Sequence, residues 1–554
     1  MLGFISQITD KPGWDDKVFD EGIVQKWRHE ATSQYTDFTN SMFDYRLTPL
    51  DQCMKELREK AQKLKETGMV AVIDTEATVV KSDTAVPPEL CDALRAAAFR
   101  LEDVPDKVKD WHPHTNKRVL DLLHPSLFPL VYGETKVLPT GTVPLAKCAE
   151  FTGKGERTDP VRISEQTTSI FRRKANHYTD DDMEYLAAWD GFQWLPSDVH
   201  FGADGKAKIT SYINNLHPTH HEDLYRVLEQ MIDRTIPLWN ETVSWFQNRS
   251  RITIDQTGQD DWERPEGAKS PVRGPLEDVE RQTGEDPGYY DRMEDEYQER
   301  YDNWFRSVRV LKIPEPDDYR PFSETTSQRG AHWIDLREKF KGSGLQVIFK
   351  LANIHLDPSN PEYDGGTWHV EGALNEHICA TALYYYDQEN ITDNSLSFRQ
   401  SISSWDLMMK AEQDGEPGTL IQVLGSVATR AGRLLAFPNV LQHRVSSFKL
   451  TDPTRPGHRK ILAMFLVDPH IRVLSTANVP PQRRDWWAEE LRGTVPRLAA
   501  LPAELFAQII SHVDDPWDME RAEQIREELM STRGGINDQI NEDMDEADVT
   551  FCEH

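Results

Sequence analysis

Two residues apart and just behind a paired glycine, His369 and Glu371 in DGGTWHVEGALNEH (364–377) are of types that bind transition metals. On a strand, alternate side chains share a face, so this imidazole and carboxylate point one way while Val370 points the other. With 18 histidines in the chain, such a pair also arises by chance, and the rest of a site has to be found. A second histidine, His443, lies in GRLLAFPNVLQHRVSSF (432–448), after an apolar strand and a Phe-Pro turn. Farther on, Arg459 opens RKILAMFLVDP (459–469). Alternation puts Arg459, Ile461, Ala463 and Phe465 on one face, so a cation stands on an apolar wall. Unpaired there it is costly, and a bound carboxylate would be its partner.

Two neutral imidazoles and one carboxylate on one face of Fe(II) leave positions open for substrate-like ligands. Two of those suit the keto-acid end of 2-oxoglutarate, and a third suits O₂. The expected centre therefore has His369, Glu371 and His443 on the metal. Arg459 holds the distal carboxylate of the cosubstrate bidentately. Tyr385, in ICATALYYYD (378–387), gives that carboxylate a second hydrogen bond.

The elements that must position these groups are β-strands. From 345 onward LQVIFKLANIHL, HICATALYYYD, GTLIQVLGSVAT, GRLLAFPNVLQHRVSSF and RKILAMFLVDP are strand-like runs parted by turns, the pattern of a sandwich or barrel. Upstream, KVFDEGIVQKWRHEA and LDQCMKELREKAQKLKETG have helical spacing, MVAVIDTEATVVKSD reads as a strand or hairpin, and 192–218 as two strands around ADGK. An amphipathic helix follows from THHEDLYRVLEQ, with Thr219 as its expected N-cap. Residues 255–300 are charged and rich in Gly and Pro, an acidic mobile insertion whose end, 289–306, reads as a charged helix. After Val473 the chain turns helical and finishes in an acidic tail.

The fold expected is α+β. A helix-rich N-terminal portion (1–254) and the insertion (255–300) precede a β domain (301–475), and a helical extension (476–554) follows. The net charge of −30 over 554 residues disfavours nucleic acid and anionic membranes as partners. The N-terminus lacks a basic leader, and no apolar run approaches the length of a membrane span. Five cysteines, odd in number and without Cys-x-x-Cys, argue against a disulfide framework or zinc-thiolate site. A reducing interior, cytoplasmic or nuclear, is expected.

Other clusters compete. His355 and Asp357 also sit at a strand end, but PSNPEYD makes Asp357 a turn cap. His112 and His114 in DWHPHT, and His217, His220 and His221 in LHPTHH, read as turn residues that line a substrate entrance at most. His512 follows a helix. Arg444 and Lys460 point off the favoured face, and Tyr384 and Tyr386 read as core.

Together GGTWHVEG, ICATALYYYD, GRLLAFPNVLQHRV and RKILAMFLVDP resemble the double-stranded β-helix (jelly-roll or cupin-like) of Fe(II)/2-oxoglutarate oxygenases of the prolyl-hydroxylase type. That resemblance implies the same ligand and cosubstrate residues, with Glu371 standing where most such enzymes carry aspartate. More widely, DLLHPSLFPLVYG, FQWLPSDV, SYINNLHPTHHEDLY and WHVEG are similar to a largely fungal family known as domain of unknown function 4246. The expected activity is oxidation of a small-molecule or amino-acid-type substrate, with 2-oxoglutarate decarboxylated to succinate. The rival readings are a non-catalytic binding scaffold and a cupin-like metalloenzyme without cosubstrate.

Overall fold

Runs such as ILAMFLV, apolar at every position, suit strands buried on both faces, and the chain uses them so. A computed structural model describes residues 2–34, 47–74, 77–160, 191–244, 333–401, 421–513 and 515–546, with short pieces between 262 and 311. Most of the 255–300 insertion and the end of the acidic tail lie outside the described residues.

The strands used below are β1 (Val70–Asp74), β2 (Thr78–Ser82), β3 (Val119–Leu123), β4 (Ser197–Phe201), β5 (Ala207–Ile209) and β6 (Leu345–Leu356). They continue as β7 (Ile378–Glu389), β8 (Asn394–Ser401), β9 (Ile421–Thr429), β10 (Leu434–Pro438), β11 (Gln442–Val445) and β12 (Gly457–Val467). A nine-stranded sheet runs β1-β2-β10-β7-β12-β6-β4-β5, with β3 also paired to β6. A three-stranded sheet runs β9-β8-β11. The pairs within both are antiparallel, and the architecture is mixed α+β. The large sheet takes strands from both sides of residue 254.

Its two faces bury different partners. Leu462, Met464 and Leu466 of β12, with Tyr384 and Tyr386 of β7, pack under helices α4 (Pro88–Glu102) and α5 (Glu222–Val243). The alternate set, Ala463, Phe465 and Val467 with Leu383, Tyr385 and Phe437, meets Leu396 and Phe398 of the small sheet. Helices α1 (Leu2–Asp10), α2 (Glu21–Gln34) and α3 (Leu47–Thr67) join that second core. So do Ala522, Ile525 and Leu529 near the start of a long C-terminal helix, Met519–Glu546. Two shorter helices, α6 (Arg484–Thr494) and α7 (Ala503–Ser511), precede this one, α8.

One helix boundary differs from expectation. The N-cap of α5 is His221, not Thr219, and its side chain makes no capping bond. Glu222 and Asp223 fill the first turn, where carboxylates favour the exposed N–H groups and the helix dipole. They start the helix two residues later than the sequence suggests. Cys53, Cys91, Cys148 and Cys379 are free thiols, and Cys552 lies outside the described residues. Among the described residues no helix is long and apolar enough to cross a membrane.

Candidate metal centre

The loop that leaves β6 returns towards β11 and forms a single antiparallel bridge, His369 to His443. Each backbone N–H donates to the other residue's carbonyl, at 3.2 and 2.9 Å. Residues directly opposed in an antiparallel pair put their side chains on one side, and here the two rings lie 4.4 Å apart. Glu371, two residues on, shares that side. Its Oε1 is 3.3 Å from His443 Nε2 and 4.0 Å from His369 Nε2.

Local bonds fix these positions. His369 Nδ1–H donates to the Thr367 carbonyl at 2.8 Å, which leaves Nε2 with its lone pair turned inward. Asn439 grips the backbone of Glu371. Its Oδ1 accepts the Glu371 N–H at 2.9 Å, while its Nδ2 donates to the carbonyls of Glu371 at 2.9 Å and Ile378 at 3.1 Å. Gly372 at φ +72° and Gly365 at φ +95° make the turns on either side, and a Cβ on Gly365 would lie 2.7 Å from the Val445 carbonyl. His443 is 3 % exposed, against 15 % for Glu371 and 31 % for His369. His369 is the member nearest solvent.

Burial works against ionising Glu371, but the hydrogen bond from His443 and the nearby His369, His443 and Lys350 outweigh it and hold the carboxyl at about 2. Burial, with His443 alongside, lowers His369 to about 4. At neutral pH that is an ionised carboxylate beside an unprotonated imidazole, the protonation state a metal requires. The Nδ1 of His443 is buried with no partner, so no hydrogen bond on that atom fixes its tautomer.

Arg459 is 1 % exposed on the inward face of β12. One guanidinium N–H donates to Asn394 Oδ1 at 2.7 Å, and Nε is buried with no partner. The rings of Phe448 and Tyr385 lie 4.7 and 5.6 Å from it. No carboxylate answers this charge among the described residues, and burial lowers its pKa. Phe398 of β8 pairs with His443, and Asn394 is four residues along the same strand. The backbone of Asn394 is therefore about 13 Å along the strand from the histidine level, at ~3.3 Å per residue, and the Arg459 side chain lies on the same inward face.

The competitors are otherwise engaged. Asp357 accepts the Ser359 and Asn360 N–H groups, and His355 packs on Trp111 and faces Glu102. His217 and His220 stack on each other at 4.0 Å, and His220 meets Glu489. Lys460 pairs with Glu102. Arg444 is exposed and lies over the Trp368 ring, which Arg399 also approaches.

Three features escape the sequence reading. Asn439 has no motif. Lys350 stands on the inward face of β6 as Arg459 does on β12, and the same alternation argument could have found it. The third is a second group, His112, Asp121 and His124, whose ligand-type atoms also lie within 4.8 Å of one another. Helix α8 passes beside the first group. Asn541 donates to the Trp368 carbonyl and accepts from Arg399 and Gln442, the last next to His443. Arg533 meets the buried Glu376.

Some solved structures show a faint likeness. IDO from Bacillus thuringiensis is 10% identical over 26% of this chain and 52% of that one, with a TM-score of 0.16. The Fe(II)/(alpha)ketoglutarate-dependent dioxygenase TqaL is 12% identical over 31% and 66%, at 0.17. EvdO2 from Micromonospora carbonacea var. aurantiaca is 12% identical over 27% and 61%, at 0.14. The chain spans about half the length of the first of these, and likeness at this level decides nothing about chemistry. No curated protein matches the chain. A family described as protein of unknown function (DUF4246) matches residues 48–490, and its N-terminal domain matches residues 1–30. With well over half of its residues covered, the chain belongs to the DUF4246 family.

Proposed function

We propose that the chain is a non-haem Fe(II)/2-oxoglutarate-dependent oxygenase whose metal is held by His369, Glu371 and His443. The observation that carries this reading is the pairing of two unlike sites on one inward face. One is a two-histidine, one-carboxylate group with its ligand-type atoms converging; the other is a buried arginine with no acid partner among the described residues. A metal explains the first, and a dicarboxylic acid explains the second. In the same reading the facing sheets are a double-stranded β-helix. The orders β6-β12-β7-β10 and 369 bridge-β11-β8-β9 support it, since the chain crosses repeatedly between the two.

The donor set fits the group it would hold. His369 presents Nε2 because its Nδ1–H donates to the Thr367 carbonyl, and Glu371 is ionised and pinned by Asn439. When bound, Fe(II) with 2-oxoglutarate and O₂ would supply oxidative decarboxylation to succinate and CO₂ coupled to oxidation of an unactivated C–H bond, one oxygen atom going to succinate and one to the oxidised product. The protein's part is positioning. Arg459 binds the distal carboxylate, with Asn394 fixing the guanidinium and the Tyr385 ring beneath it. Phe437 and Phe398 wall His443 with apolar surface, which excludes water from the ligand side. Trp368 and α8 flank the more exposed His369, where substrate would arrive.

Anaerobic addition of Fe(II) and then 2-oxoglutarate to the full chain tests this. A visible charge-transfer band that needs both is expected. Its absence, with both shown to bind, overturns the reading.

A further inference from the structure

The metal group leaves an unexplained constellation on the same inward face. Asp121 of β3 sits opposite Ala352 of β6, with its side chain fully buried. His112 Nδ1–H donates to its Oδ2 at 2.7 Å. Its Oδ1 is buried with no hydrogen-bond partner. Burial opposes ionisation, yet the neighbouring His124, His112 and Lys350 hold the carboxyl at about 2, so one oxygen of an ionised carboxylate is left without a hydrogen-bond donor. That is a costly arrangement unless a ligand completes it.

His124 lies in the same group, with its ring 5.3 Å from His112 and 6.5 Å from Trp194, which in turn packs on Phe465. Its Nδ1 accepts the Ser126 N–H at 3.2 Å, so the neutral ring keeps its proton on Nε2. Lys350 stands two residues from Ala352 on the same face of β6, opposite Ala463. It has no hydrogen bond or ion pair with any described residue. Its charge favours the ionised forms of both Asp121 and Glu371, which places it within electrostatic reach of both groups.

Three ligand-type side chains so close invite a second metal. The tautomers speak against one. Ligation through His124 Nε2 needs a lone pair where the ring carries a proton, and ligation through Nδ1 needs the Ser126 bond broken. What the group offers instead is a carboxylate oxygen without a donor, an N–H donor on His124, and, on the same face, a cation with no ion pair among the described residues. That set is complementary to a zwitterion.

We infer that Asp121, His124 and Lys350 bind the head group of a free α-amino acid, ammonium on Asp121 Oδ1 and carboxylate on Lys350 and His124 Nε2–H. Its side chain then extends towards His369 and Glu371. As a statement about substrate this rests on the oxygenase reading; as a statement about binding it does not.

The test is calorimetric titration of the full chain, without iron or 2-oxoglutarate, with each standard L-amino acid. The best binder is then compared with its 2-hydroxy acid, which keeps carboxylate and side chain and lacks the ammonium. Saturable binding of at least one amino acid is expected, weakened roughly thirtyfold or more in the hydroxy acid, in Asp121→Asn and in Lys350→Met. If Asp121→Asn fails to fold, Lys350→Met and the hydroxy acid still decide. The inference is overturned if no amino acid binds, or if amino and hydroxy acids bind alike. A second equivalent of Zn²⁺ lost in Asp121→Asn overturns it in favour of a metal. Amino-acid binding without a charge-transfer band would leave it standing while the oxygenase reading falls.

Discussion

Replacing Arg459 by methionine separates a binding cation from a structural one. As structure, the guanidinium gains one charge-assisted hydrogen bond, to Asn394 at 2.7 Å, worth about 1.5–3 kcal/mol. Contact with the Phe448 and Tyr385 rings adds about 0.5–2 kcal/mol each. Against that stands the burial of a cation with an unpartnered Nε and no acid, a penalty of several kcal/mol. The terms nearly cancel, and methionine refills the apolar wall, so Arg459→Met should change unfolding free energy by less than about 1.5 kcal/mol. As a binding residue the same group gives a dicarboxylate two charge-assisted bonds. Their loss costs about 3 kcal/mol or more, a weakening of roughly a hundredfold. Urea denaturation gives the first number, and anaerobic titration of Zn²⁺-loaded protein with 2-oxoglutarate gives the second, with Zn²⁺ affinity itself as the control. Strong destabilisation with unchanged 2-oxoglutarate affinity would make Arg459 a structural cation and refute the assignment.

Other consequences follow from groups outside the site. Arg433 is fully buried and bonded to Asp10, Asp83 and the Ala428 carbonyl. Arg433→Met leaves those carboxylates without it and should destabilise by about 3–5 kcal/mol in urea unfolding. Burial first, and Arg433 next, lower Lys81 from its ordinary 10.5 to about 8. Between those values the unfolded chain binds the proton that the folded chain has lost, so stability rises with pH there. Relative to Lys81→Met, the wild type should gain up to about 3 kcal/mol from pH 8 to pH 10.5; a flat difference contradicts the burial argument. Gly534 and Gly535 lie inside α8, where an added Cβ meets nothing within 4 Å. Each Gly→Ala change should therefore stabilise by about 0.5–1 kcal/mol, seen as a higher melting temperature. Destabilisation would mean that the glycines break the helix.

The strands were legible from sequence because both faces of the large sheet are buried, which makes ILAMFLV or YYY apolar without gaps. His369, Glu371 and Arg459 were legible because strand alternation converts spacing directly into a shared face. Asp121 and His124 were not. Their grouping with His112 depends on a reversal through His114, Asn116 and Lys117, all at positive φ, and on β3 pairing with a strand far along the chain. Neither leaves a periodic trace. The contribution of β1 to β5 to the large sheet was hidden for the same reason, since short strands announce no partner. The contacts of α8 with Trp368 and Gln442 are made by the polar side chain of Asn541, which no pattern distinguishes from a surface asparagine.

The most direct test of the central claim is an anomalous-difference map from crystals grown with Mn²⁺ in place of iron. The account predicts one strong peak within bonding distance of His369 Nε2, His443 Nε2 and a Glu371 carboxylate oxygen, and none at Asp121. A peak among His112, Asp121 and His124 alone, or no bound metal, would contradict it.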